Sequence, residues 1–169
     1  MRRRILYVLA LPLMLAGVVM AASPALATSP HFISASANLS GTNLVVSFKQ
    51  AGLGANQNIN YTASANGTAT YVCVNKGGGN PSASNKTTVN GPVSASGTFN
   101  SGKNGNINAS LTINPPGPGS FSCPSGQSMQ IAQVSYTDAA IADTTNGVTE
   151  SIPGTFSTGC LLPDVRGAC

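Results

Sequence analysis

Few side chains in this sequence are able to do chemistry, and their spacing decides which chemistry is open to them. Cys73, Cys123, Cys160 and Cys169 make an even count, which in an exported chain implies two disulfides. Three pairings are possible. Cys73–Cys123 and Cys160–Cys169 are favoured, because the second pair is close in sequence beyond the last predicted strand. A zinc site is the competing use of the same thiols. It is disfavoured because no C-x-x-C spacing occurs and the only histidine, His31, lies far from every cysteine in sequence. No metal or other cofactor is expected.

Asp143 and Glu150 flank the pair Asn146-Gly147. A two-residue turn there would set position 143 opposite 150. Two carboxylates a few ångströms apart hold Ca²⁺ or divide acid and base roles as in glycosidases. Like charges directly opposed otherwise destabilise a ladder. The plainer expectation is a four-residue turn, Thr144 to Gly147, with both acids solvated at its tip. A hydrolase would also need a groove with aromatic platforms, and aromatic residues are only 5% of the chain. His31 is no better placed. It follows Pro30, which lacks the amide nitrogen that a peptide–copper chelate uses, and no partner motif supports a Ser-His-Asp arrangement. The segment CLLPDVRGAC would close into a ten-residue ring through Cys160 and Cys169. A braced loop of that kind can present Leu162, Pro163 and Arg166 as a rigid protease bait, since preorganisation lowers the entropic cost of binding. As a staple it would simply protect the chain end from fraying.

These residues must be positioned by a small scaffold. Arg2, Arg3 and Arg4 precede an apolar run from Ile5 to Ala22, and Ala25-Leu26-Ala27 is a small-x-small cleavage site. Residues 1–27 therefore read as a cleaved signal peptide, with the mature chain beginning at Thr28. Three of the eight basic residues are in this leader. What remains is Lys49, Lys76, Lys86, Lys103 and Arg166 against Asp138, Asp143, Glu150 and Asp164, a balance of 5 − 4 = +1. The whole-chain charge of +4 thus gives no reason to expect nucleic acid as a partner. Nor is a membrane expected after cleavage, and an extracellular protein or cell-surface component is the implied partner. The remaining length fits one domain. Ala, Ser, Thr, Gly and Asn dominate it, so apolar burial gains less per residue than in a Leu- and Phe-rich core. Cross-links offset that deficit.

The pattern along the chain is that of short strands. His31 to Leu39 alternates, with Ile33, Ala35, Ala37 and Leu39 on one face. Leu44 to Phe48 follows. Asn58 to Asn75 reads as a central hairpin turning at Asn66-Gly67, the pair best suited to the positive φ of a type I′ turn. A Gly-rich loop spans Lys76 to Lys86. Thr87 to Phe99 is a weak strand interrupted at Gly91-Pro92, as expected of an edge or a bend. Ile107 to Ile113 alternates cleanly. Met129 to Asp143 shifts its apolar phase from Ala132, Val134 and Tyr136 to Ala139 and Ile141, which predicts a bulge near Thr137 or Asp138. Val148 to Phe156 returns. No segment has a helical period. About eight strands with regular turns predict a single antiparallel β-sandwich over residues 28–156, immunoglobulin-like in shape, with residues 157–169 as a disulfide-looped tail.

Three resemblances accompany this reading. Tyr71-x-Cys73 within TATYVC resembles the Y-x-C strand of immunoglobulin domains, although no cysteine lies upstream to pair with Cys73 and the core tryptophan is missing. The leader, the composition and HFISASANLSGTNLVVSFKQAGLG resemble small secreted actinobacterial proteins. VVSFKQAGLGANQNINY is similar to neocarzinostatin-type apoproteins, a resemblance that implies a sandwich carrying a small apolar ligand. The residues themselves favour a secreted, non-enzymatic module with a structural, surface-associated or binding role.

Overall fold

The computed structural model describes residues 29–75, 77 and 85–169. The predicted leader lies outside them, as does most of the predicted Lys76–Lys86 loop. Eight strands follow in order: β1 (His31–Ser40), β2 (Asn43–Ala51), β3 (Asn58–Asn75), β4 (Lys86–Asn100), β5 (Ile107–Ile113), β6 (Gln127–Asp143), β7 (Val148–Ile152) and β8 (Phe156–Ser157). They form two antiparallel sheets, β1-β2-β5 and β4-β3-β6-β7, with β8 added to β6. The two sheets pack together as the predicted sandwich. No α-helix occurs among the described residues, and so none is long and apolar enough to cross a membrane. Both favoured disulfides are present.

The central hairpin is not. Asn58–Asn75 is one strand of 18 residues. Asn66 lies opposite Pro92 of β4 and Thr137 of β6, and Gly67 opposite Gly91 and Tyr136. Neither Asn66 nor Gly67 takes the positive φ of a type I′ turn. Gly67 serves a close approach instead. A Cβ there would lie 2.9 Å from Pro116 Cδ and 3.1 Å from Val93 Cγ2. The count of eight strands survives because Phe156–Ser157 forms its own short strand.

Period-two pleating explains what β3 does. Ile59, Tyr61, Ala63, Ala65, Ala69 and Tyr71 point into the main core. There Tyr61 and Phe48 have ring centroids 4.5 Å apart, with Phe32 and Phe99 packed edge-on around them. Beyond Tyr71 the outer face is also buried. Val72, Val74, Ala132 and Ala168 form a second, smaller core, with Leu162 and Val165 packed against it. The disulfide-looped tail is therefore a cover over one end of the large sheet.

Register breaks re-aim the strands. In β6 the pairing with β3 shifts between Ser64↔Ala140 and Asn66↔Thr137, so Asp138 is the extra residue of a bulge and takes φ +53°. This is the bulge that the apolar phase predicts. A second shift, between Thr70↔Gln133 and Tyr71↔Ile131, was not predicted. It moves Ala132 out of the Val134–Tyr136 phase into the second core, and the Ala132 carbonyl accepts from Leu161 N at 2.8 Å. In β1 a shift between Phe32 and Ser34 leaves Ile33 exposed, so Phe32 rather than Ile33 packs on the core. Strand β4 pairs only with β3. It is an edge strand as predicted, but it runs unbroken through Gly91-Pro92, because an edge position tolerates a missing N–H.

Two of the three connections that cross between sheets, β2 to β3 and β4 to β5, are fastened to each other. Leu53 N donates to Gly105 O at 3.1 Å and Asn56 N to Gly102 O at 2.7 Å. The buried Ser101 hydroxyl donates to Gly54 O at 2.6 Å and accepts from Gln57 N at 2.9 Å.

Gly67→Val places branched methyls where even one Cβ is crowded. It is expected to lower stability by about 1–3 kcal/mol, read as a fall in the urea midpoint. Asn66→Thr is expected to cost roughly 1 kcal/mol or less. Loss of the fold on Asn66→Thr would identify a turn at this position.

Candidate functional site

The two carboxylates singled out by sequence do not meet. The turn between β6 and β7 has four residues, so Asp143 pairs with Val148, and Glu150 pairs with Ile141. Glu150 is exposed, but Asp143 is not at a solvated tip: it is 1% exposed. One oxygen, Oδ1, accepts from the backbone N–H groups of Thr145 and Asn146 at 3.0 and 2.9 Å. The other accepts from Asn146 Nδ2 at 2.7 Å and Gln50 Nε2 at 2.8 Å. Gln50, itself fully buried, accepts from the Tyr61 hydroxyl in turn. The chain Tyr61–Gln50–Asp143 joins β3, β2 and β6 and so ties the two sheets through polar groups. Among the described residues no buried side-chain polar atom lacks a partner. This is a built structural network with no open position for a reacting group. Sequence reading missed it because Gln50 and Asp143 are 93 positions apart.

The other candidates also resolve into placement. His31 is exposed, with Nδ1 2.8 Å from the Ser29 carbonyl oxygen. Cys73–Cys123 spans 50 residues and pins the inner face of β3 to the loop after β5. It does not cross the sandwich as the immunoglobulin disulfide does. Of the tail residues, Pro163 and Arg166 are exposed, whereas Leu162 is half-buried against the second core. The Lys86 ammonium donates to Gly167 O at 3.1 Å and holds the ring to β4.

What the sequence pattern did not single out is the outer face of the large sheet. Outward positions of β3 and β4 form cross-strand pairs of uncharged polar residues: Thr70 with Thr88, Thr68 with Asn90, Ser64 with Ser94, Thr62 with Ser96, Asn60 with Thr98 and Asn58 with Asn100. Four of these pairs are hydrogen-bonded through their side chains, at 3.1, 2.9, 2.7 and 2.8 Å for Thr70–Thr88, Thr62–Ser96, Thr98→Asn60 and Asn100→Asn58. Ser135, Thr137, Ala140 and Ala142 continue the rows on β6, and Thr149 and Ser151 on β7. Strand spacing places neighbouring rows about 4.8 Å apart and successive outward residues about 6.8 Å apart. Across this array the only charged side chain is Asp138.

Asp138 stands at a gap. Beside β6, β7 ends at Ile152 opposite Ala139, and β8 begins at Phe156 opposite Tyr136. Pro153, Gly154 and Thr155 bridge the interval and leave the bulge without a ladder partner on that side. An open groove of about 560 Å³ results, lined by Thr137–Ala140 and Ser151–Thr155. Asp138 Oδ2 accepts from Asn66 Nδ2 and from Thr137 Oγ1, both at 3.0 Å. Two further grooves, of about 420 and 240 Å³, lie along Asn60–Thr62 and beside Leu53–Gly54. All three are open grooves of mixed lining rather than a deep apolar cleft.

Burial raises the pKa of all three core tyrosines above the ordinary value of 10.0. For Tyr61 the nearby Asp143 adds to burial. Tyr136, whose hydroxyl donates to Thr42 O at 2.7 Å, is pushed up to about 12, by burial first and by Tyr71 second.

No family model matches the chain, and neither a curated protein nor a solved structure matches it.

Asp143→Ala leaves Gln50 and the turn amides without their acceptor and is expected to cost about 3 kcal/mol in chemical denaturation, while Glu150→Ala changes stability by less than about 0.5 kcal/mol. Equal effects would contradict the network. Alkaline pH supplies a separate check. A raised phenol keeps its proton in the fold after the unfolded chain has released it. Stability is therefore full below pH 10.0 and falls as pH rises through about 12. Phenolate absorbance is expected to rise together with loss of near-ultraviolet dichroism, and Tyr136→Phe to make that loss shallower. Phenolate appearing while the dichroism persists would refute the assignment.

Proposed function

We propose that the chain is an exported, non-enzymatic β-sandwich module that binds an uncharged, hydrogen-bonding extracellular or cell-surface component through the outer face of its large sheet. The observation carrying this reading is the array of mainly hydroxyl and amide side chains over Thr88–Asn100 of β4, Asn58–Thr70 of β3, β6 and β7; Lys86 lies at its end, bonded to Gly167 O. Export is supported by the leader and by two disulfides, which persist in oxidising compartments. The binding role is supported by preorganisation. Side chains already paired along the ladder lose little rotamer freedom when a partner arrives. A face without ion pairs also selects against charged partners, whose groups would be desolvated without compensation.

The test is retention of the mature protein on washed insoluble polymers: cellulose, chitin and bacterial cell wall, with DNA-cellulose as the charged control. Retention on at least one neutral polymer is expected, and it should persist at high salt because no screened charge pair holds it. Ser64→Arg and Ser94→Arg, at exposed opposed positions, should each weaken retention about tenfold or more at little cost in stability. Failure to bind any neutral polymer, loss of binding in salt, or indifference to both arginines would overturn the reading.

A further inference from the structure

We infer that the groove over the β6 bulge is a carbohydrate site, in which Asp138 accepts hydrogen bonds from adjacent hydroxyls of a neutral sugar chain lying on the sheet. This rests on the binding reading above and names its ligand class.

The first ground is how the groove is made. β6 carries an extra residue at the place where its neighbouring strand is interrupted between Ile152 and Phe156. A bulge re-aims a side chain and ends pairing, and here both effects coincide. Asp138 is held at φ +53°, a left-handed conformation that Asp tolerates better than most residues but that still costs energy. The chain accepts this cost at the place where the larger of the two grooves on the polar face opens, about 560 Å³ against about 420 Å³ for the one along Asn60–Thr62.

The second ground is the state of the carboxylate. Both of its protein hydrogen bonds go to Oδ2, from Asn66 and Thr137. These orient the group, and among the described residues no protein donor is recorded on Oδ1. An exposed carboxylate with one oxygen anchored and the other open is a fixed acceptor. Hydroxyl-to-carboxylate bonds are charge-assisted and about twice as strong as neutral ones.

The third ground is the lining. Thr137, Ser151 and Thr155 supply hydroxyls, while Ala140, Ile152 and Pro153 supply carbon surface. That mixture suits a pyranose ring, which has hydroxyls at its rim and C–H groups on its faces. A volume near 560 Å³ is within the range of small-ligand pockets. The alternatives fit less well. A divalent cation needs several oxygen ligands, usually more than one carboxylate, and no group of three His, Cys, Asp or Glu residues occurs among the described residues. A lone exposed carboxylate holds an ammonium group weakly.

The mature protein would be titrated calorimetrically, and by amide chemical shifts, with cellohexaose, N-acetylchitohexaose and hexagalacturonate. At least one neutral hexasaccharide should bind, with shifts centred on Thr137–Ala140 and Ser151–Thr155. Hexagalacturonate should bind more weakly, because its carboxylates face Asp138. Asp138→Asn keeps a residue that tolerates the left-handed conformation and should weaken binding about tenfold or more. Ser151→Trp fills the groove from the exposed edge of β7 and should abolish it. Dichroism of each variant reports whether it is folded. No binding of either neutral hexasaccharide, shifts confined elsewhere, or full affinity in folded Asp138→Asn would overturn the inference. Retention on an insoluble polymer that survives in both groove variants would remove the groove and leave the face reading standing. Oligosaccharide binding without such retention would do the reverse.

Discussion

The pleat of β3 is the constraint on which the rest of the molecule depends. A strand of 18 residues cannot change which face a side chain occupies without a register break in its own backbone. β3 lies between β4 and β6 and contacts both along most of its length. Its odd positions therefore define the core, and its even positions define the outer surface. Small residues on the inner face, Ala63, Ala65 and Ala69, leave room for the aromatic cluster and for Tyr136. Such a core removes limited apolar area from water. Two disulfides and the buried Tyr61–Gln50–Asp143 chain hold the sheets and the tail in the register that the pleat sets.

That constraint also explains which parts of the fold could be read from the residues. Alternation identified most strands and the bulge at Asp138, because each leaves a trace in the local apolar phase, and Gly91-Pro92 marked β4 as an edge. The Asn66-Gly67 pair misled instead, because its strong turn signal sits inside an unbroken phase. Ile59 through Ala65 and Ala69 through Cys73 are all odd, so they share a face only if the strand continues. A two-residue turn would have set Thr68 and Thr70 opposite Ala65 and Ala63 and put hydroxyls in the core. The phase was the better guide, and Gly67 is there because Pro116 and Val93 crowd it.

Other features left no local trace. The bulge at Ala132 is hidden because Ala132, Val134 and Tyr136 alternate perfectly; only the tail, a distant segment, shows that Ala132 faces the other way. Gln50 reads as one more polar strand residue, and its partners Tyr61 and Asp143 come from two other strands. Asp143 read as a solvated residue at a turn tip because charge near a turn usually means solvent. Here the carboxylate instead caps the turn amides from within. The outer face escaped notice for a different reason. Ser, Thr and Asn in alternate positions are what any solvated strand shows, and only the register of β3 against β4 reveals that they are matched in pairs.

The two breaks in β6 have opposite consequences, and together they frame the proposed function. At Ala132 the released carbonyl is taken by Leu161 N, and the tail seals the apolar end of the outer face. At Asp138 the neighbouring strand is interrupted instead, and the face stays open. One sheet surface is thereby divided into a covered apolar end and an exposed polar remainder. Had the tail extended along β6 as a full strand, the bulge would have been paired and the groove closed. The ring closed by Cys160 and Cys169 shortens the reach of the last residues and directs Leu162, Val165 and Ala168 onto Val72 and Val74. The C-terminal disulfide thereby shapes the proposed binding face as well as adding stability, because it confines the tail to the end of the sheet that needs cover.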